Sequence, residues 1–267
     1  MKNEIHSCFN TSSNDIGYGR IHIPIAKVCK MGCKYCNYVM DGNVGINIEN
    51  RPGTSNLVIN NREEMLKYLE EKTKIFPKIN IIGVSGPGDP LDNMDNLEIL
   101  NEVMNEQYKD YKLCICSCGY NYNNVIKRIK NLNKLEYLTL TINTLDIRKM
   151  KFLYRSVNDG ILKADEIINQ QKSIIKDMKE RNVKIKINTI YIPNINDNEI
   201  NSMFSFLLKM GVDCFNLLPL RQINNQFNYD KDLYLDNFKN KVKELKELGF
   251  PMINKCSQCT SSACGRI

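Results

Sequence analysis

The sequence predicts an α/β protein built as a partial (β/α)6 barrel of the TIM type, with one sheet of parallel strands covered by helices. Short apolar runs alternate with amphipathic helical patterns along the chain, which predicts βαβ units. Roughly six such units occur, too few for a closed barrel of eight strands. In open folds of this kind, the active site lies at the carboxyl ends of the strands.

The strand predictions depend on runs that are rich in Ile, Val and Leu and bounded by polar or turn residues. These runs are residues 21–28, 79–84, 112–117, 135–141, 183–191 and 214–218. Between and after them, apolar residues recur with the helical period. The predicted helices cover residues 63–76, 97–108, 123–131, 163–181, 198–210 and about 233–248.

Size and composition favour one domain over the whole of residues 1–267. The core barrel takes about residues 20–220, and a helix with a cysteine-bearing tail takes about residues 231–267. The formal net charge is +7, but the basic residues are spread over helical faces without a basic and aromatic cluster. We therefore expect no nucleic-acid partner.

Apolar runs are too short for a membrane span, and the first residues carry no apolar run typical of a signal peptide. These features predict a cytoplasmic protein without membrane association. Thiols stay reduced in the cytoplasm, so the eleven cysteines indicate metal binding more than disulfides.

A three-cysteine loop directly follows the first predicted strand. Cys29, Cys33 and Cys36 have the spacing C-x3-C-x2-C. Three thiolates can ligate three irons of a 4Fe-4S cluster, which leaves the fourth iron open to the amino and carboxylate groups of S-adenosylmethionine (SAM). Electron transfer into the sulfonium then yields a 5'-deoxyadenosyl radical. A structural zinc site is the alternative, but it needs four ligands and no nearby Cys or His follows Cys36.

This loop is similar to the signature of the radical SAM superfamily. Tyr35 falls where that superfamily places an aromatic residue in contact with SAM; the alternative is an aromatic residue that only packs. Gly86 and Gly88 lie in a Gly-Pro turn after the second predicted strand. Their backbone can approach a ligand closely and is expected to bind the methionine end of SAM. Turns of this kind are also common without function.

The remaining cysteines form further candidate sites. Cys114, Cys116 and Cys118 alternate along a strand, so they share one face and could reach a second cluster, although buried thiols often only pack. The polar tail carries a C-x2-C pair, Cys256 and Cys259, for which metal ligation is the favoured interpretation. The lesser candidates are the His6 and Cys8 pair, Cys264 as an extra ligand, and two residues interpreted as core, Cys214 and His22.

Several segments in order along the chain together resemble one family. They are HSCF, GRIHIPIAKVCKMGCKYCN, ENRPGT, GVSGPGDPL, LCICSCG, LTLTINTLD, KINTIYIPNIND and CSQC. The chain resembles the NifB family, the radical SAM carbide synthases of nitrogenase cofactor biosynthesis. The resemblance extends over nearly the whole chain.

The resemblance implies an activity. Members of the family bind two further 4Fe-4S clusters, methylate a sulfide with one SAM and use a second SAM to generate the radical that takes hydrogen from the methyl group. The carbon ends as a carbide in a fused eight-iron precursor of the FeMo cofactor. The implied partners are a cluster donor, cofactor-carrier proteins of nitrogenase assembly and an electron donor.

The resemblance also implies roles for individual residues. Cys29, Cys33 and Cys36 match the ligands of the radical cluster, and the SAM contacts match Tyr35, Gly88, Thr141 and Ile187. One donor cluster is expected on Cys8, Cys256 and Cys259, and the other on His6 and Cys114, with Cys114 and Glu49 as functional residues. A carboxylate at Glu49 could ligate iron or move protons. Ile46 stands where the family usually carries a cysteine, a role that Cys116 or Cys118 could take.

Two other functions remain open from the sequence. One is a radical SAM enzyme that acts on a peptide or small molecule and uses its tail cysteines for an electron-transfer cluster. The other is a zinc- or cluster-binding scaffold without enzymatic activity.

Overall fold

Residues 6–11, 19–26, 29–36, 59–84, 86, 88–220, 227 and 230–253 are described by the computed structural model. Within them, a sheet of six strands has the order β1-β2-β3-β4-β5-β6. All neighbouring strands are parallel. The strands are β1 (Ile21–His22), β2 (Ile81–Val84), β3 (Lys112–Ser117), β4 (Leu135–Thr141), β5 (Lys184–Tyr191) and β6 (Cys214–Pro219).

The strand order follows the chain order, which is the topology of a half-barrel. Parallel neighbours need a crossover, and at least one helix lies between each pair of successive strands. All carboxyl ends therefore lie on one rim of the sheet, where the following loops meet. The predicted partial (β/α)6 barrel is confirmed.

The helices cover the outer face of the sheet. They are α1 (Arg62–Ile75), α2 (Met94–Gln107), α3 (Tyr122–Lys130), α4 (Ile147–Leu153), α5 (Arg155–Asn158), α6 (Ala164–Glu180), α7 (Ile200–Lys209) and α8 (Lys231–Glu247). Helix α1 shows how sequence marks both ends of a helix. At its start, the Asn61 side chain accepts a hydrogen bond from the Glu64 amide at 2.9 Å. At its end, Lys72 and Lys74 lie in the last turn. In the part of the chain that the structure describes, no helix is both long and apolar enough to cross a membrane.

The main hydrophobic core lies between the sheet and these helices. Helix α6 contributes one apolar face, whose members are all buried as predicted: Ile167, Ile168, Ile174, Ile175 and Met178. A second, smaller apolar group lies on the opposite face of the sheet and comprises Ile81, Cys114 and Tyr137 with Phe9 against them. The short 3-10 helix Ser7–Phe9 thus packs on the concave, interior side of the half-barrel.

Two features differ from the sequence prediction. The first strand was predicted over residues 21–28 but covers only Ile21–His22, because Pro24 has no amide hydrogen for the ladder. The Ile23 amide still donates to the Gly83 carbonyl at 3.0 Å, so the chain continues along β2 without regular pairing. The second feature is the pair of helices α4 and α5, which the sequence analysis did not predict.

Candidate metal centre

The three-cysteine loop lies at the rim of the half-barrel, after β1. Cys29, Cys33 and Cys36 are all partly buried, and a turn brings the last two together, with the Cys36 amide donating to the Cys33 carbonyl at 2.9 Å. Gly32 adopts a φ of 63°, a conformation that residues with a side chain rarely take. The loop therefore presents three thiols within one short, folded segment.

Helices α4 and α5 hold this loop from one side. The Lys34 amide donates to the Leu153 carbonyl, and the Arg155 amide donates to the Gly32 carbonyl, both at 2.9 Å. The buried Ser156 hydroxyl donates to the Met31 carbonyl at 2.6 Å. Backbone polar groups of the loop are thus paired by residues far along the chain, which fixes the loop against the barrel.

The thiols of the loop interact with one another and with their surroundings. Burial raises the pKa of the Cys29 thiol, and the nearby Asp89 carboxylate adds to that effect. The pKa of Cys33 is lowered because it accepts hydrogen bonds from the Cys118 thiol and the Tyr35 hydroxyl. Of these two thiols, Cys33 is therefore the better prepared to become a thiolate.

Tyr35 connects the loop to the end of β4. Its hydroxyl accepts a hydrogen bond from Asn143 Nδ2 at 2.5 Å, and the same amide nitrogen contacts the Tyr154 hydroxyl at 3.3 Å. Asn143 is itself fully buried and accepts a hydrogen bond from the Ile190 amide at 2.8 Å. The aromatic ring beside the cysteines is therefore oriented from the ends of β4 and β5. Thr141, the last residue of β4, is half-buried.

The glycine-rich loop after β2 lies against the same cysteine loop. Gly86 has a φ of 133°, a backbone conformation that favours glycine, and the Gly88 amide donates to the Ala26 carbonyl at 2.6 Å. Gly86 and Gly88 are both partly exposed. The exposed backbone that the sequence analysis expected to meet SAM is thus at the carboxyl rim, beside the three cysteines.

Asp89 ties this loop to the end of β3. Its buried carboxylate accepts hydrogen bonds from the Ser117 hydroxyl and the Cys118 amide, both at 2.7 Å, and from the Leu91 amide at 2.9 Å. Burial raises the pKa of this carboxyl, and the three donors act against that rise. Asp89 is therefore the common acceptor for the loops that follow β2 and β3.

A second group of thiols lies deeper, on the interior face of the sheet. Arg20 is buried, and its Nη1 atom donates to Cys114 Sγ at 2.9 Å and to Cys116 Sγ at 3.2 Å. Its Nε atom donates to His22 Nε2 at 3.2 Å. Cys114 and Cys116 share this face as predicted, and a buried cation faces both of them.

The N-terminal segment brings two more candidate ligands to this interior site. Cys8 and His6 are both buried, and Cys8 lies close enough to Arg20 and Cys114 to act on them electrostatically. His6 Nδ1 accepts from the Cys8 amide at 3.3 Å, while His6 Nε2 is buried without a hydrogen-bond partner among the described residues. Burial lowers the pKa of His6 well below its ordinary value, so its nitrogen is neutral and available to a metal.

The electrostatics of the interior site favour an anion. Besides Arg20, the site contains a second buried cation, Lys186. Lys186 belongs to one rung of the sheet, a row of residues in register across neighbouring strands, whose other members are Cys116, Thr139 and Cys214. Thr139 Oγ1 on that rung is buried and has no hydrogen-bond partner in the described residues. Gly83 makes room for the guanidinium, since a Cβ there would lie 2.5 Å from Arg20 Cδ.

The residues at both sites fit iron-sulfur clusters. The rim offers three thiols in one loop, and the interior offers thiols, an unpartnered imidazole nitrogen and buried cations that would balance an anionic cluster with its thiolates. Within the described ranges, no three Cys, His, Asp or Glu side chains converge closely enough to hold a single metal ion.

The remaining predicted site residues have different positions. Ile187 is fully buried in the core between sheet and helices, so its side chain lies on the face opposite to Lys186. Cys214 is buried as predicted, and His22 is half-buried. Several other residues lie outside the described residues, namely Ile46, Glu49, Cys256, Cys259 and Cys264.

Sequence reasoning missed the residues that support these two sites. They are Arg20, Asp89, Asn143 and Lys186. Asp89 had a readable signal, since an Asp directly before a Pro in a glycine-rich turn is typical of a cap for the following helical turn. Single basic or amide residues within or beside apolar strands carry no comparable signal.

Comparison with known proteins gives one family and a consistent set of relatives. The profile of the Radical SAM superfamily matches residues 23–207. The FeMo cofactor biosynthesis protein NifB of Chlorobaculum tepidum is 30% identical over 272 residues, covering 98% of this chain and 62% of that protein. The protein of the same name from Methanocaldococcus jannaschii is 30% identical over 270 residues, covering 99% of this chain and 87% of that protein.

Solved structures support the fold. SuiB from Streptococcus suis has a TM-score of 0.59 and 14% sequence identity, over 90% of this chain and 50% of that one. Its structure with bound SAM gives a TM-score of 0.60. At this identity the likeness concerns the fold alone.

Proposed function

Since this chain belongs to the radical SAM superfamily and, within it, to the family of the FeMo cofactor biosynthesis protein NifB, we propose that it is a SAM-dependent enzyme of FeMo cofactor assembly. In its finer form, the proposal is that the chain methylates one 4Fe-4S cluster, fuses it with a second and inserts a carbide. The observation that carries the proposal is the presence of two separate thiol sites, one at the rim and one in the barrel interior.

The rim site is the proposed place of SAM cleavage. Cys29, Cys33 and Cys36 would hold a 4Fe-4S cluster, which supplies the electron that cleaves bound SAM to a 5'-deoxyadenosyl radical. Gly86 and Gly88 present backbone groups to the methionine end of SAM. Asn143 donates to the Tyr35 hydroxyl and orients that ring, so loops that follow β1, β2 and β4 would together hold the cofactor.

The interior site is the proposed place of the substrate clusters. Cys114 and His6 are suited to ligate iron of one of them, because His6 Nε2 is buried without a partner in the described residues. Arg20, next to Cys114 and Cys116, would balance the negative charge of the thiolates and of the substrate cluster. Cys116, whose sulfur accepts from Arg20 beside Cys114, is a described thiol that could take the role of the cysteine missing at position 46.

Other parts of the proposal rest on the family, because Glu49, Cys256 and Cys259 lie outside the described residues. Cys256 and Cys259, together with the described Cys8, are proposed to hold the second substrate cluster, and Glu49 to ligate iron or to accept a proton as the methyl carbon loses hydrogen. The chain spans 62% of the length of the Chlorobaculum tepidum relative. Cluster donors, cofactor carriers and an electron donor are the partners that this activity would need.

Product analysis tests the proposal. The full chain, reconstituted anaerobically with iron and sulfide, is incubated with SAM and a chemical reductant. We expect both S-adenosylhomocysteine, from methyl transfer, and 5'-deoxyadenosine, from radical formation. Cys29→Ala should lose both products, whereas Cys114→Ala and Cys256→Ala should lose S-adenosylhomocysteine and retain 5'-deoxyadenosine.

A matched control is Cys214→Ala, which removes a buried thiol that the proposal assigns no ligand role. It should keep both products. Formation of 5'-deoxyadenosine alone by the unsubstituted chain would contradict carbide synthesis and favour a radical enzyme with another substrate. Iron-loaded protein that leaves SAM intact would point to a cluster-binding scaffold.

A further inference from the structure

An aromatic ring and several cations are exposed beside the three-cysteine loop. The Nζ atom of Lys34 lies 3.8 Å from the centre of the Phe152 ring, a cation–π contact. Phe152 is nevertheless 42% exposed, which is unusual for a phenylalanine. Lys151 and Arg155, close to Phe152 in the chain, are exposed as well. Lys34, Lys151, Phe152 and Arg155 together are called the rim patch.

Backbone contacts attach the rim patch to the cysteine loop. Cys33 and Tyr154 form an antiparallel bridge. On one side of this bridge, the Lys34 amide donates to the Leu153 carbonyl at 2.9 Å, and on the other the Arg155 amide donates back to the loop. The exposed side chains of the patch therefore lie next to the backbone that carries the proposed cluster ligands.

The charge around the patch has one sign. Residues 29–36 and 147–155 contain six basic residues and no acidic residue. Two of the six, Arg148 and Lys149, have carboxylate partners at 3.3 Å and 3.4 Å. Among the residues that the structure describes, no carboxylate forms an ion pair with a cation of the rim patch. The patch thus presents uncompensated positive charge around an exposed aromatic ring.

We propose that the rim patch is the docking surface for an acidic one-electron carrier protein that reduces the rim cluster. The inference rests on the proposed function, because it concerns the partner that supplies the electron for SAM cleavage. Positive charge on the patch complements an acidic partner, and the Phe152 ring provides an apolar contact at its centre.

The position of the patch favours an electron carrier over a protein that delivers substrate clusters. An electron can reach the rim cluster through the short backbone segment behind the loop, so its carrier stays outside the barrel. A cluster donor must instead reach the interior face, where Cys114 and His6 lie. Electron-transfer complexes also bury small interfaces, which a few cations around one ring can provide.

The transfer itself is a one-electron step. The reduced carrier loses one electron, and the 4Fe-4S cluster proposed on the three cysteines gains it. No proton moves, and no covalent bond forms or breaks. Because exposed charges are screened by salt, reduction by the carrier should become slower as the ionic strength rises.

The experiment compares two reductants of the same cluster. The full chain is used in a Cys114→Ala/Cys256→Ala background, which the proposed function expects to hold only the rim cluster. One reductant is a fully reduced flavodoxin of net negative charge, and the other is dithionite. The rate constant of cluster reduction is measured by anaerobic stopped-flow absorbance, at low and at high salt, with all proteins at equal iron content.

The test variant is Lys151→Glu/Arg155→Glu, which reverses two exposed charges and leaves the Arg155 backbone amide in place. We expect reduction by flavodoxin to become roughly tenfold slower at low salt, with the difference shrinking at high salt. Reduction by dithionite should keep the rate of the background protein. Lys151→Arg/Arg155→Lys keeps both charges and should behave like the background with both reductants.

The matched control is Lys67→Glu/Lys127→Glu, which makes the same change in net charge at exposed positions on α1 and α3. It should slow flavodoxin much less than the test variant. Phe152→Ala should slow flavodoxin severalfold at both salt concentrations, because it removes an apolar contact that salt does not screen.

Equal flavodoxin rates in the background protein and the test variant would overturn the inference. Equal slowing in the test variant and in the matched control would overturn it too, because the effect would then come from the net charge alone. Equal slowing with dithionite would show an altered cluster in place of a lost docking surface. The expected rates in a chain that leaves SAM intact would support the docking surface and contradict the proposed function.

Discussion

Two carboxylates at the rim, the buried Asp89 and the half-buried Asp92, connect the loops there. Asp89 accepts three hydrogen bonds and joins the loops after β2 and β3. Asp92 lies three residues later. Its Oδ2 atom accepts hydrogen bonds from the Tyr120 hydroxyl and, at 3.3 Å, from the Lys30 backbone amide, and its Oδ1 atom accepts from Asn121 Nδ2 at 3.0 Å. Each carboxylate therefore helps to position the three-cysteine loop without being a ligand of the proposed cluster.

The first prediction at this scale concerns Asp89. Asp89→Ala should lower the free energy of unfolding of the iron-free protein by about 3 kcal/mol, because buried donors left without an acceptor each cost roughly 1 kcal/mol or more. Asp89→Asn keeps one acceptor oxygen and should lose about half as much. Chemical denaturation measures both values, and equal stability of the alanine variant and the parent would contradict the role of Asp89.

The second prediction concerns pH. Burial, with a contribution from the Asp89 charge, raises the pKa of Asp92 from 3.8 to about 7. Between these values the folded chain keeps a proton that the unfolded chain has released, so the stability due to this group is complete below about pH 4 and declines as the pH rises toward 7. In Asp92→Asn that decline should be absent.

Denaturant titrations of the iron-free protein at pH 5 and pH 8 measure this difference. The control Asp110→Asn changes an exposed carboxylate on the turn after α2 and should keep the parent's pH dependence. An unchanged pH dependence in Asp92→Asn would show that its carboxyl titrates normally.

At the scale of elements, helices α4 and α5 are the supports of the three-cysteine loop. They contact it through the Leu153 carbonyl, the Arg155 amide and the Ser156 hydroxyl. The sequence analysis assigned no structure to residues 149–160, because the two helices are short and α5 has only four residues. Hydrophobic periodicity needs a longer window than either helix offers.

Ser156→Ala tests this support. The Met31 carbonyl loses its side-chain donor, which should cost about 1 kcal/mol. If that cost destabilises the folded conformation of the three-cysteine loop, release of rim iron to a chelator should become about fivefold faster. The rate is followed by absorbance under anaerobic conditions.

Ser202→Ala is the matched control, because its exposed hydroxyl bonds only the Glu199 carbonyl within the start of α7. It should release iron at the parent's rate. Equal rates in Ser156→Ala and the parent would mean that α4 and α5 do not stabilise the loop.

At the scale of the whole molecule, regular apolar runs made the fold predictable. Strands β3 and β4 have the predicted bounds, and β5 and β6 differ from them by one residue, because their apolar runs have clear polar or turn boundaries. The three thiols at the rim followed from spacing, since one loop holds all of them. The interior site could not be predicted from spacing, because Arg20, Cys114 and Lys186 come together only in the folded sheet.

Other site residues also could not be placed from the sequence alone. Cys118 was grouped with Cys114 and Cys116 by strand alternation, yet it lies beyond the end of β3, where its amide donates to Asp89. The predicted roles of Glu49, Cys256 and Cys259 stay predictions, since these residues lie outside those the structure describes. Iron and sulfide analysis addresses them as a group: about twelve irons per chain would correspond to three cubane clusters, and about four to the rim cluster alone.

The most direct test of the central claim is whether SAM bonds to iron at the rim. Anaerobically loaded, reduced protein is mixed with SAM labelled with ¹⁵N at its amino group, and the cluster is examined by electron-nuclear double resonance. We predict a hyperfine coupling between the label and the reduced cluster, which disappears in Cys29→Ala. A fully loaded cluster that shows no coupling to the label in the parent protein would contradict the account.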